Sequence, residues 1–204
     1  MDTLESEIYE DFSLTHKVYE CVTPYIPIGD SCAVAYNLNK LNIRTVAYPF
    51  DWSKIKIKQL INILDCDFKD YCNLEIVKFS ENHESSYIIT NPYKITMAHE
   101  VLKSCELSDF ATKLEERIIR FREAIKNRVK FVRLETSPWK QSYQEDLNKL
   151  LEILDKLSPN YELILILHDS YRDKLIFHSK IKIIYYDNFS CDWKYPNINW
   201  HNIT

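Results

Sequence analysis

Tyr161-Glu162-Leu163-Ile164-Leu165-Ile166-Leu167 carries large aliphatic side chains on both of its alternating faces. A strand of that kind needs apolar cover above and below, as in the middle of a parallel α/β sheet. Immediately upstream, Tyr143 to Leu157 sets Leu147, Leu150, Leu151 and Leu154 on one helical stripe. Upstream again, Val129-Lys130-Phe131-Val132-Arg133-Leu134 reads as a strand. Strand, helix and strand make a βαβ unit, expected to close as a right-handed parallel crossover. Ile181-Lys182-Ile183-Ile184-Tyr185-Tyr186 supplies one more strand. The fold expected is a single three-layer α/β domain over residues 1–204, with a largely parallel central sheet.

Earlier in the chain, Leu107 to Lys126 is a charged helix with Phe110, Leu114, Ile118, Phe121 and Ile125 on its apolar stripe. Val77-Lys78-Phe79, Tyr87-Ile88-Ile89 and Tyr93 to His99 read as strands, the first two separated by the polar stretch 80–86. The first third opens on the strand Tyr25-Ile26-Pro27-Ile28, where proline points to an edge. Asp30 or Ser31 can then cap a helix from Cys32 to Leu41, with Asn42 as its stop. Arg44 to Tyr48 is a candidate strand, and Ser53 to Leu64 a helix that Asp51 would cap.

Of 204 residues, 46% are hydrophobic and 27% charged, with a net charge of −4. That balance argues against a nucleic-acid or anionic-membrane partner, since phosphate binding wants a basic face. No run approaches the roughly 20 apolar residues of a membrane span. Nothing after Met1-Asp2-Thr3-Leu4-Glu5 reads as a signal peptide, so a cytoplasmic protein with reduced thiols is expected. The six cysteines show neither Cys-x-x-Cys nor zinc-ligand spacing, so neither metal nor cofactor is expected. The sequence leaves the oligomeric state open.

The chain holds one glycine, Gly29, in Ile28-Gly29-Asp30-Ser31-Cys32. A lone glycine marks a backbone that a side chain would obstruct, through positive φ or close approach. A cysteine in the first helical turn meets unpaired N–H groups and the positive end of the helix dipole, both of which favour thiolate. The same geometry, with Gly29, Asp30 and Ser31, can cradle a phosphate or carboxylate. Cys32 as a small core residue is the plain alternative. Gly-Asp-Ser also opens the catalytic block of lipase-like hydrolases, but their late Asp-x-x-His is replaced here by Asn199-Trp200-His201. His99 follows the cysteine in the order usual for a Cys–His pair. His168, at the end of the strand 161–167, is its rival, because α/β sites collect at strand ends. Arg44 and Arg133 are candidate anion ligands, and a buried Arg133 would require a carboxylate or bound anion.

Ile28 to Leu38 with Arg44 and Pro49-Phe50-Asp51-Trp52 resembles a family of papain-like cysteine peptidases classed as a domain of unknown function, from bacteria and large DNA viruses. His99-Glu100, Arg117 to Phe121, Phe131-Val132-Arg133, Trp193 and Trp200 extend the resemblance over most of the chain. It implies Cys32 as nucleophile, His99 as base, and Asp51, Glu135 or Asp169 orienting the histidine. It also implies a papain-like α+β fold, the alternative to the parallel sheet. Three functions follow: a cysteine hydrolase of peptide, amide or acyl substrates; a glycosyltransferase-like enzyme holding a phosphate-bearing small molecule at Gly29, Arg44 and Arg133; and a binding module without chemistry.

Overall fold

The computed structural model describes residues 23–80, 86–98, 100–102, 104–176 and 178–204. Its core is a four-stranded, all-parallel sheet in the order β1-β6-β7-β8. The strands are β1 (Tyr25–Pro27), β6 (Val129–Leu134), β7 (Tyr161–His168) and β8 (Ile181–Tyr186). The α/β class with a parallel sheet is what the apolar runs predicted. Pro27 sits in the edge strand β1, where a missing N–H breaks no interior ladder.

Alternation along the strands divides the core in two. Phe131, Leu163, Leu165 and Leu167 share one cluster with helices α3 (Leu107–Ala124) and α4 (Tyr143–Leu157). Val132, Leu134, Ile164 and Ile166 share the other with α1 (Ala33–Lys40) and with Ile198, Trp200 and Ile203 near the C-terminus. Leu163, Ile164, Leu165 and Ile166 are all fully buried. Each contributes about 2 kcal/mol of apolar transfer, which is why a central strand tolerates no polar face.

A second sheet is antiparallel, in the order β2-β5-β4-β3: β2 (Ser53–Lys54), β5 (Thr96–Met97), β4 (Ser86–Thr90) and β3 (Glu75–Ser80). Its strands were expected in part, but their assembly into a separate sheet was not. Helix α2 (Ile57–Asp65) follows β2.

Several local expectations fail. Arg44 to Tyr48 forms no strand, because Arg44 turns back to pair with Asp51 and Tyr48 N–H donates to Asp51 Oδ2 at 3.1 Å. Asp51 therefore closes a turn instead of capping a helix. Helix α2 begins four residues later than expected, at Ile57, where Lys56 N–H donates to Gln59 Oε1 at 2.8 Å. The expected strand 93–99 shrinks to Thr96–Met97, since Lys94 takes a positive φ of 56° after Asn91. Asn42 does stop α1 in the left-handed region, at φ 57°.

Among the described residues no helix is long and apolar enough to cross a membrane, and no group of three or more His, Cys, Asp or Glu could hold a metal ion.

Candidate functional site

Adjacent strands β1 and β6 send their following helices to opposite faces: α1 lies on one side of the sheet and α4 on the other. The loops leaving their C-terminal ends therefore diverge and open a crevice. In open α/β sheets this switch point is where ligands bind. Here it falls between Gly29 to Cys32 on one side and Glu135 to Ser137 on the other.

The turn at Gly29 is held from below. Gly29 has φ +89°, and a Cβ there would stand 2.7 Å from Ile55 O and 2.9 Å from Arg133 Nη1. Both reasons for glycine, left-handed backbone and close approach, apply at this residue. Arg133 is fully buried; its Nη1 donates to Ile28 O at 2.8 Å and Ile55 O at 3.2 Å. Its Nε donates to Glu135 Oε1 at 2.5 Å, and Tyr143 Oη donates to the same oxygen at 3.0 Å. The carboxylate that a buried strand arginine requires is thus Glu135, two residues on. The expected anion ligand Arg133 serves here as a brace between β1, β6 and the segment before α2.

Asp30 spans the crevice. Its fully buried carboxylate accepts from Thr136 Oγ1 and Lys56 Nζ through Oδ2, both at 2.6 Å, while Oδ1 has no partner among the described residues. Ser31 Oγ accepts from Ala33 N–H at 3.2 Å and so steadies the start of α1.

Cys32 is the N-cap residue of α1 and is half-buried. It opens onto a cleft of about 390 Å³. The cleft takes Ser31 and Cys32 from the turn, Trp52, Ser53, Lys54, Thr96 and Ala98 from around the antiparallel sheet, and Trp193 from the C-terminal segment. Burial pushes the Cys32 thiol above its ordinary value. Hydrogen bonds from Ser31 and from the backbone of Cys32 and Ala33 oppose that, as does the Lys54 charge. Desolvation wins, so the resting group is a thiol and needs a base to become a nucleophile.

His99 lies outside the described residues, although Ala98, its neighbour in sequence, lines the cleft. The rival His168 is engaged at both ring nitrogens: Nδ1 accepts from Ser170 N–H and Nε2 faces Asp187 O, each at 3.0 Å. Its ring stacks on Phe189 at 4.1 Å, and it does not line the cleft. Asp51 is fully buried, and Oδ2 accepts from Arg44 Nε at 2.7 Å. Burial raises its carboxyl to about 6 against the pull of Arg44, and Oδ1 is without a partner among the described residues. Glu135 is taken by Arg133 and Tyr143, and Asp169 pairs with Arg172 at 2.6 Å. Neither Arg44 nor Arg133 lines the cleft; among the described residues the cation there is Lys54. Sequence reasoning missed Lys54, Thr96 and Cys191, because pairing across β2 and β5 and the return of the C-terminal segment bring them in.

Fold and site together define an α/β domain with a cysteine at the switch point of its parallel sheet. The chain belongs to the family described as "Putative papain-like cysteine peptidase (DUF1796)", whose model matches residues 23–170. It is similar to uncharacterized protein R408 of Acanthamoeba polyphaga mimivirus, with 26% identity over 219 residues covering 89% of this chain and 96% of that one. No solved structure matches it.

Proposed function

We propose that this chain is a cysteine-dependent hydrolase of amide or acyl bonds, acting through Cys32 in a reducing, cytoplasmic setting. The observation that carries the reading is the position of Cys32: N-cap of α1, sheet switch point, mouth of a cleft of about 390 Å³. His99 takes the Cys32 proton as Sγ adds to the substrate carbonyl, and the developing oxyanion is held against the backbone of the turn at Cys32 and the positive end of α1. Collapse breaks the bond to the leaving group, which departs with the proton from His99 and leaves a thioester on Cys32. Water, deprotonated by His99, then adds to the thioester carbon; the acid leaves and the thiol is restored. Asp51 orients His99: its Oδ1 has no partner among the described residues, whereas Glu135 is taken by Arg133 and Tyr143 and Asp169 by Arg172.

The test is to trap the acyl-enzyme. Incubating native protein with a panel of activated acyl esters should give one acyl adduct, located on Cys32 by peptide mass spectrometry and absent in Cys32→Ala. An adduct on other residues, or none from the native protein across the panel, overturns the reading.

A further inference from the structure

Among the described residues lining the Cys32 cleft, one carries formal charge. Lys54 stands on β2 directly across from Thr96 on β5, and both line the cleft. No aspartate or glutamate is on its walls among the described residues. Lys54 makes no hydrogen bond or ion pair among the described residues, unlike Lys56 two positions on, which is committed to Asp30. Its charge is nonetheless felt at Cys32 Sγ. The remaining lining is apolar or hydroxylic: Trp52, Trp193, Ile88 and Ala98 against Ser31, Ser53, Thr96 and Thr136. Lys54 is exposed, so among the described residues its charge is answered by solvent alone, and a bound carboxylate can take that place beside the thiol.

We propose that Lys54 is a specificity-determining residue that receives a carboxylate on the acyl substrate, so the cleft selects anionic over neutral acyl compounds. This deepens the hydrolase reading and rests on it. The apolar walls at Trp52 and Trp193 place an apolar portion of the same substrate beside that carboxylate.

Two haloacetyl probes test the proposal without a known substrate. Iodoacetate and iodoacetamide deliver the same one-carbon electrophile to a thiolate, one with a carboxylate and one with a neutral amide. The Sγ–C bond forms and iodide leaves in both cases. Because both need the thiolate, the ratio of their rate constants cancels the thiol pKa and reports how the local field receives a negative charge; the part due to Lys54 is the change between native protein and Lys54 variants. The ratio is read for each cysteine by peptide mass spectrometry, with exposed Cys66 as the internal reference. In the native protein, the iodoacetate-to-iodoacetamide ratio at Cys32 should exceed that at Cys66 by roughly fivefold, the scale of one screened charge interaction. Lys54→Met should lower the Cys32 ratio roughly fivefold and Lys54→Glu further, with the Cys66 ratio unchanged, while Lys54→Arg keeps it high. The same Cys32 ratio in native protein and Lys54→Met, with both probes reacting, overturns the carboxylate proposal and leaves the nucleophile standing. A Cys32 that takes neither probe until the protein is unfolded overturns the hydrolase reading, and this inference with it.

Discussion

Leu163, Ile164, Leu165 and Ile166 in the parallel sheet lose all contact with solvent, whereas Ile76 and Val77 in the antiparallel sheet stay 49% and 58% exposed. Strands of six and eight residues build the centre of the first sheet, and two-residue strands β2 and β5 build one side of the second. The candidate site takes one wall from each. Cys32, Ser31 and Thr136 stand on loops anchored to the buried sheet, while Lys54, Thr96 and Ala98 belong to the lighter one. Chemistry that needs a fixed nucleophile and an adaptable substrate wall is served by this division, since local opening follows local burial. Amide exchange checks the division directly: β6 and β7 should be the slowest strands, and β3 should exchange by local opening.

The largest expected effect lies in the brace beneath the turn. Arg133→Ala leaves Glu135 buried without its cation and removes the donor to Ile28 O and Ile55 O; it should cost about 3–5 kcal/mol in denaturant unfolding. A loss below about 1 kcal/mol would break the claim that the parallel side is held rigid by this pair. Next comes Asp51. Its folded carboxyl titrates at about 6 against 3.8 ordinarily, so the folded chain binds that proton more tightly. Its stabilisation is full below pH 3.8, declines as pH rises, and is gone above about pH 6, a swing on the order of 3 kcal/mol. The stability of wild type relative to Asp51→Asn should fall across that window, and a flat difference contradicts the assignment. Gly29→Ala should cost about 2 kcal/mol, from positive φ and the approach to Ile55 O. Smallest is Val77→Thr on the exposed edge strand, expected within about 0.5 kcal/mol. A larger loss there would show the second sheet to be as tightly determined as the first.

The same contrast governs what the sequence disclosed. Strands β6 and β8 and helix α4 were readable to the residue, because runs of apolar and β-branched or aromatic residues and a single apolar stripe each leave a recognisable pattern. The stretch Arg44 to Tyr48 has a strand-like composition, yet one ion pair between Arg44 and Asp51 outweighs it. Short β2 and β5 carry no period to detect. The turn at Gly29 was legible because a lone glycine before a helix start is itself a geometric statement. Lys54 was not, since a lysine after Trp52-Ser53 becomes distinctive only when Thr96 lies opposite. The switch point likewise needed the faces of α1 and α4, which no local pattern records.

The central claim is that Cys32 is a nucleophile served by His99, and the pH dependence of its alkylation by iodoacetamide tests it most directly. Burial alone sets the thiol above its ordinary value of 9.0, so an unassisted Cys32 should react with a single midpoint above that pH. The native protein is predicted to show a reactive limb with its midpoint below about pH 8, as a thiol deprotonated by a neutral imidazole during attack does, lost in His99→Ala. One midpoint above pH 9 in both proteins would contradict the account.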